Sequence, residues 1–192
     1  MVAVESTMLP LGTPAPPFAL PDPTGKVWSL SDVAGERGTL VAFVCNHCPY
    51  VRHIAPRLGE VAARWHDAGI GVVGINSNDA TSYPDDQPDR MATQAAEWKW
   101  TFPYVTDESQ SVARAYRAAC TPDFFLFDAD RALVYRGRFD AARPRSTTPV
   151  TGAELDGAVA AVLAGRPVTG DQVPSIGCNI KWKPGNAPEW FG

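Results

Sequence analysis

The segment Cys45-Asn46-His47-Cys48 carries two thiols separated by two residues, with an imidazole directly before the second thiol. A two-residue spacer in a turn lets two sulfur atoms meet and bond without movement of the backbone. The thiolate is the reactive form of cysteine, and a neighbouring cation stabilises it. The spacing therefore indicates reversible dithiol–disulfide chemistry at Cys45 and Cys48, with His47 as a third catalytic candidate that tunes the thiolate.

The two cysteines lie where a predicted buried strand runs into a predicted helix. Residues 39–44 form an uninterrupted apolar run, and apolar residues between Val51 and Trp65 recur at spacings of three and four. A helix N-terminus offers unpaired backbone N–H groups and partial positive charge, and both favour a thiolate. The pattern predicts a helix over 48–68 that begins at the cysteine pair.

The other periodic segments predict a mixed α/β order. A hairpin is expected within 18–30, strands at 70–75, 104–105, 124–127 and 132–135, and helices at 86–99, 109–118 and 152–164. This order indicates a mixed sheet with helices on both faces. We expect one domain over 1–170, with a proline-held arm over 1–16, and a C-terminal tail over 171–192 that packs on the domain.

Composition restricts the class of protein. The 192 residues are 45% hydrophobic and 20% charged, with a formal net charge of -4, which is ordinary for a soluble globular chain. No basic cluster indicates nucleic acid or a membrane surface as a partner. The N-terminus lacks a basic segment followed by a long apolar segment, so we expect a cytoplasmic protein. We also expect no cofactor and no resident metal, and the oligomeric state stays open.

Several of these segments resemble the thioredoxin fold. Residues 40–48 with 54–56 resemble its active-site strand and helix, and Thr121-Pro122 followed by 124–127 resembles its cis-proline strand. Together with the tail over 176–185, the sequence is similar to the peroxiredoxin-like group of thioredoxin-family proteins, whose members are often described as thiol-disulfide isomerases. The resemblance covers residues 12–190.

The resemblance implies an α/β thioredoxin-like fold with a mixed central sheet flanked by helices, an N-terminal β-hairpin, an inserted helix and an extended C-terminal tail. It implies a thiol-disulfide oxidoreductase that acts on protein disulfides or dithiols and is served by a thioredoxin or glutathione reducing system. Thr121 and Pro122 would bind an extended substrate strand. Ala42 stands where thioredoxin buries an acid, which leaves Asp79 as a weak candidate for the proton shuttle.

Two alignments of the motif assign the attacking thiol differently. Pro56 follows eight residues after Cys48, and Phe43 precedes it by five, so one alignment places Cys48 at the helix N-terminus, where a peroxiredoxin keeps its peroxidatic cysteine. The motif taken by itself makes Cys45 the attacking thiol. We favour Cys48 and keep Cys45 as the alternative.

The remaining polar and sulfur residues have both functional and structural interpretations. Cys120, two residues before Pro122, and Cys178, in the tail, are auxiliary thiols that could relay or resolve a disulfide, or are simply packed. The acidic residues Asp85, Asp86 and Asp89 are expected to form a solvated loop.

Two other functions compete with disulfide exchange. A thiol peroxidase would need the peroxiredoxin loop Pro-x-x-x-Thr-x-x-Cys, but Val41 and Cys45 replace its Pro and Thr, and Pro122 falls near the position of its Arg. A metal-binding or redox-sensing module would use Cys45, His47, Cys48 and Cys178 as soft ligands for Zn or Cu(I). One cysteine pair with a distant tail cysteine is weaker evidence of a metal site than two cysteine pairs.

Overall fold

The computed structural model describes residues 3–191, and a five-stranded mixed sheet forms its centre. The strands span Ala3–Glu5 (β1), Ala19–Pro21 (β2), Val27–Ser29 (β3), Gly38–Phe43 (β4), Ile70–Asn76 (β5), Tyr104–Thr106 (β6), Cys120–Thr121 (β7), Asp123–Asp128 (β8), Leu133–Gly137 (β9) and Ile176–Asn179 (β10). The central sheet has the order β6-β5-β4-β8-β9. Strands β4, β5 and β6 are parallel, whereas β8 and β9 run antiparallel to β4 and to each other. All residues of β4 and β5 are buried, because helices cover both faces of the sheet.

The helices span Leu30–Val33 (α1), Pro49–Asp67 (α2), Pro88–Glu97 (α3), Ser111–Ala115 (α4) and Ala153–Leu163 (α5), and a 3-10 turn spans Pro84–Asp86. Alternate side chains of β4 point to opposite faces, as strand geometry requires. Leu40 and Ala42 pack with the apolar faces of α2 and α5, whereas Val41 and Phe43 pack with α1, α4 and the β2–β3 hairpin. This two-sided packing fixes the end of β4, where the cysteine pair begins. No described helix has the length and apolarity needed to cross a bilayer.

A second, smaller sheet joins the two ends of the chain to the strand before Pro122. Its order is β1-β10-β7, with both pairings antiparallel. The 1–16 arm therefore contributes a strand to this sheet, and so does the tail. Residues 1, 2 and 192, which belong to the predicted arm and tail, lie outside the described residues.

The predicted fold class is confirmed: a mixed central sheet, an N-terminal hairpin, an inserted helix and an extended tail are all present. The prediction differs most over 109–118, where the helix is limited to Ser111–Ala115. Gln110, which precedes this helix, is in the left-handed region at φ 62°, and its amide donates to the carbonyls of Ser77 and Lys181. These tertiary hydrogen bonds, which sequence periodicity does not predict, hold Gln110 in a non-helical conformation just before α4 begins.

Candidate active site

Cys48 is the residue that caps the N-terminus of α2. The helix begins at Pro49, whose missing N–H costs nothing in the first turn. The Cys48 Sγ donates to the backbone carbonyl of Thr121 at 3.1 Å in the thiol form, and its side chain is fully buried. Hydrogen bonds from the thiols of Cys178 and Cys45, and from the backbone N–H of Val51, lower the pKa of Cys48 far below its usual range. The helix end acts in the same direction, because its partial positive charge favours a thiolate on Cys48.

Cys45 lies two residues after the end of β4 and is hydrogen-bonded to Cys48. Its Sγ lies 3.2 Å from the Oγ1 of Thr121. Burial, the hydrogen bond with Cys48 and the negative charge of Asp86 raise the pKa of Cys45 well above its usual range. One negative charge is therefore placed on Cys48 while Cys45 keeps its proton, which matches a pair made of an attacking and a resolving thiol.

The peptide bond between Thr121 and Pro122 is cis. It brings the carbonyl of Thr121 against Cys48 and the hydroxyl of Thr121 against Cys45. The sequence-predicted pair Thr121 and Pro122 therefore lies directly beside both thiols. A small groove of about 20 Å³ is lined by Pro122, Tyr50, His53 and other residues.

Asp86 is the main correction to the sequence analysis, which expected a solvated acidic loop. Its carboxylate is buried and accepts three hydrogen bonds: from the backbone N–H of Asn46 at 2.8 Å, from Nδ1 of His47 at 2.7 Å and from the amide of Asn78 at 2.9 Å. The hydrogen bonds from His47 and Asn78 outweigh desolvation and hold the pKa of Asp86 below its usual range. Asp85, its neighbour, is exposed as expected.

His47 was predicted to tune the thiolate, and the structure gives its ring a different set of contacts. Its Nδ1 is hydrogen-bonded to Asp86, and the ring stacks on Tyr83 with centroids 5.1 Å apart. The ring thus fixes the loop between the two cysteines, and a direct action on either sulfur stays a prediction.

The proton-shuttle candidate Asp79 has its hydrogen bonds in another part of the structure. Its carboxylate accepts from the Ser82 hydroxyl at 2.7 Å and from the Thr81 backbone N–H at 3.1 Å, and so closes a turn. The buried acid nearest in sequence to the cis bond is Asp123, where burial raises the pKa from 3.8 to about 7.

The structure distinguishes the two auxiliary thiols. Cys178, on β10, is hydrogen-bonded to Cys48 and lies opposite Thr121 in the strand pairing. Cys120 is fully buried and directs its Sγ toward the carbonyl of Pro122 at 3.6 Å, and burial raises its pKa well above the usual range. Cys178 joins the thiol cluster, whereas Cys120 is packed beneath it.

A metal ion would have three candidate ligands here. Ligand atoms of Cys45, His47 and Asp86 lie within 4.8 Å of one another. This set differs from the one predicted, because Asp86 replaces Cys48 and Cys178. Nδ1 of His47 is hydrogen-bonded to Asp86, whereas its Nε2 is buried without a hydrogen-bond partner among the described residues. The cluster does not contain all four of the ligands Cys45, His47, Cys48 and Cys178 that the metal-site alternative predicted.

A central mixed sheet, a cysteine pair at a helix N-terminus and a facing cis-proline define a thioredoxin-like fold, which solved structures at 21% and 24% identity share. The sequence pattern of the AhpC/TSA family matches residues 11–136, so the chain belongs to the AhpC/TSA family.

Individual relatives agree with this assignment. A solved protein of Geobacillus kaustophilus, described as an uncharacterized conserved protein, is 51% identical with a TM-score of 0.93 over 96% of this chain and 98% of its own. The thiol-disulfide oxidoreductase ResA of Geobacillus kaustophilus is 27% identical over 65% of this chain and 67% of its own. A protein of Mycobacterium tuberculosis that carries a peroxiredoxin name is 30% identical over 59% of this chain and 68% of its own.

Sequence reasoning found the cysteine pair and the cis-proline strand but missed Asp86 and the position of β10. The available signal for Asp86 was weak: the segment 84–88 combines prolines and acids, as many exposed loops do. For the tail, the sequence Ile176-Gly177-Cys178 was noticed, but nothing local predicts its strand partner, because strand pairing joins residues distant in sequence.

Proposed function

We propose that this protein is a thiol-disulfide oxidoreductase that uses Cys48 as the attacking thiolate and Cys45 as the resolving thiol. The observation that carries the proposal is the asymmetry of the pair. Cys48 lies at the start of α2 with a lowered pKa, and Cys45, in hydrogen-bond contact with it, has a raised pKa. Disulfide exchange uses such a pair, because the second thiol releases the substrate from the mixed disulfide.

The reaction follows from this arrangement. The Cys48 thiolate attacks one sulfur of a substrate disulfide, forms a mixed disulfide and releases the other substrate sulfur as a thiolate. Cys45 then attacks the Cys48 sulfur, closes the Cys45–Cys48 disulfide and releases the second substrate sulfur; its proton is taken by the leaving thiolate. Two electrons pass from the protein to the substrate, and an external dithiol of the thioredoxin or glutathione type returns the pair to the reduced form.

Thr121 and Pro122 supply the surface for a protein substrate. An extended polypeptide can pair with the backbone of Thr121 through main-chain hydrogen bonds once strand β10, which pairs with it in the structure, is displaced. Protein disulfides or dithiols are therefore the proposed partners. A cytoplasmic location fits a site that works as a dithiol, because cytosolic thiols are kept reduced.

Insulin reduction in the presence of dithiothreitol tests the proposal. We expect the wild-type protein to accelerate it, and Cys48→Ser and Cys45→Ser to remove the acceleration. Cys120→Ser is the matched control, since Cys120 is equally buried but packs on Pro122 rather than in the pair. Full activity of Cys48→Ser, or no activity of the wild-type protein, contradicts the proposal.

Thiol peroxidase activity is a second candidate that family membership favours. Cys48 occupies the helix position of a peroxidatic cysteine, and Cys45 could resolve a sulfenate formed on it. The groups that lower the pKa of Cys48 most are, however, two thiols and backbone N–H groups, and none of these is an arginine that would orient a peroxide. Stopped-flow measurement with hydrogen peroxide separates the two activities: fast, saturating turnover supports the peroxidase.

A further inference from the structure

The backbone edge that a substrate would use is already occupied by the chain's own tail. Strand β10 pairs antiparallel with β7, so that Cys178 lies opposite Thr121 and Asn179 lies opposite Cys120. This is the edge beside Pro122 to which the extended substrate was assigned. The C-terminal strand therefore has the position and backbone pairing of a bound peptide.

The fit of β10 to this edge depends on Gly177. A Cβ added at Gly177 would overlap the carbonyl oxygen of Thr121 and lie 3.2 Å from Cδ of Pro122. Such an approach is open only to glycine. The backbone of β10 thus lies closer to Thr121 and Pro122 than a residue with a side chain at position 177 would allow.

The side chain that this strand presents to the site is a cysteine. The thiol of Cys178 is hydrogen-bonded to Cys48, and the backbone N–H of Cys178 also donates to the Cys48 sulfur. Cys178 is 3% exposed and Cys48 is 0% exposed, so the two sulfur atoms share one enclosed space. A disulfide substrate bound at this edge would place its reacting sulfur in the same space.

The tail is also tied to the loop that carries the cysteine pair. The Lys181 backbone N–H donates to the side-chain oxygen of Asn78 at 2.8 Å, and the amide of Asn78 donates to Asp86 at 2.9 Å. Asp86 in turn accepts from Asn46 and His47, inside the motif. This chain of hydrogen bonds fixes β10 relative to the two cysteines.

We propose that β10 is a built-in substrate strand and that Cys178 is a third redox thiol, which exchanges with the Cys45–Cys48 disulfide. This inference rests on the proposed function, because that activity supplies the oxidised pair. In the exchange, the Cys178 thiolate attacks the Cys48 sulfur, the Cys45–Cys48 bond breaks, a Cys48–Cys178 bond forms and Cys45 takes up the proton that Cys178 lost. One disulfide replaces another, so no electrons enter or leave.

A Cys48–Cys178 disulfide would attach β10 covalently to the active site. When the Cys45–Cys48 disulfide is present instead, only backbone pairing and packing hold β10 in place. A protein substrate must displace β10 before it can pair with Thr121. The tail therefore makes access to the site depend on which of the two disulfides is present.

Disulfide mapping of the full chain tests the inference. Trypsin separates the relevant cysteines: Cys45 and Cys48 fall in peptide 38–52, Cys120 in 118–131 and Cys178 in 146–181. In Cys45→Ser exposed to glutathione disulfide and then alkylated, we expect peptides 38–52 and 146–181 to be joined, with 118–131 alkylated. In the double variant Cys45→Ser/Cys178→Ser, a glutathione adduct on Cys48 should accumulate instead, because the resolving thiol is gone.

The outcomes separate the inference from the proposed function. A stable glutathione adduct on Cys48 of Cys45→Ser with Cys178 alkylated, or a bond from Cys48 to Cys120, overturns the inference and leaves the proposed function standing. Failure of the wild-type protein to form either a Cys45–Cys48 or a Cys48–Cys178 disulfide overturns the proposed function itself. Since serine at a buried position can impair folding, Cys45→Ala is mapped in parallel, and circular dichroism checks that each variant is folded.

Discussion

The carboxylate of Asp86 should support both the stability of the site and the asymmetry of its thiols. It is buried and accepts hydrogen bonds from Asn46, His47 and Asn78. Asp86→Ala leaves these three donors without that acceptor. A hydrogen bond to a charged group contributes roughly 1.5–3 kcal/mol, but such contributions are not additive and the buried charge is removed at the same time. We expect the free energy of unfolding to fall by about 3–5 kcal/mol.

Asp86→Asn removes the charge with little change in shape. It keeps one carbonyl acceptor but turns an NH₂ group toward a donor, so we expect a smaller loss of about 1–3 kcal/mol. Because the charge of Asp86 raises the pKa of Cys45, that pKa should also fall. Cys45 should then be alkylated at lower pH than in the wild-type protein, and the oxidised pair should be easier to reduce.

The contribution of Asp86 to stability depends on pH, and its direction follows from the lowered pKa of the carboxyl group. The folded state lowers the pKa of Asp86, so the stabilisation is complete above the unfolded pKa of about 3.9 and is lost as pH falls through the lower folded value. Wild-type and Asp86→Asn should therefore differ most near neutral pH and converge in acid.

Urea unfolding and mass-spectrometric alkylation profiles measure these effects, with Asp85→Asn as the matched control. Asp85 is the exposed neighbour, and its backbone carbonyl, which accepts from the Asn46 side chain, is unchanged by the substitution. The reasoning is refuted if Asp86→Asn unfolds at the same urea concentration as Asp85→Asn and the alkylation profile of Cys45 does not move.

Three further expectations address the other parts of the site. Limiting iodoacetamide on the reduced protein should label Cys48 before Cys45, as mass spectrometry will show; the reverse order would make Cys45 the attacking thiol. Gly177→Ala should loosen β10 and speed alkylation of Cys48 about tenfold, equivalent to about 1.4 kcal/mol of pairing. Gly157→Ala, where an added Cβ meets nothing within 4 Å, should not do so. Burial raises the pKa of Asp123 to about 7, so its cost to stability is absent below pH 3.8 and grows as pH rises through 7. Asp123→Asn should therefore stabilise the protein by up to about 4 kcal/mol at pH 8 and very little at pH 4 in urea unfolding, and an equal effect at both pH values would contradict this.

The local sequence pattern was sufficient to predict the strand and the helix that position the cysteine pair. The apolar run before Cys45 and the helical periodicity after Cys48 correspond to β4 and α2 within one or two residues. Both are long and strongly patterned, and packing on both faces of the sheet agrees with their intrinsic preference. The assignment of Cys48 to the helix N-terminus rested on the resemblance to the thioredoxin fold, through the distance from Cys48 to Pro56.

The local sequence pattern did not predict which residues surround the cysteine pair. Asp86 is separated by forty positions from Asn46, and in sequence it is indistinguishable from the exposed Asp85 beside it. Only the folded chain shows that one of these carboxylates faces buried donors while the other faces water. The energetic reason is that a buried carboxylate is tolerated only where several donors replace its water.

The resemblance to the thioredoxin fold predicted a Thr121-Pro122 strand that faces the cysteine pair. The sequence alone determined that this protein has two thiols at the N-terminus of a helix, because spacing and periodicity are properties of neighbouring residues. The tertiary structure decided which groups share that space with them. It placed Asp86 under the loop and Cys178 against Cys48, by pairing the last strand of the chain with the residues before Pro122. Such pairings depend on the backbone edges and cavities that remain once the central sheet has formed, and no local pattern records them.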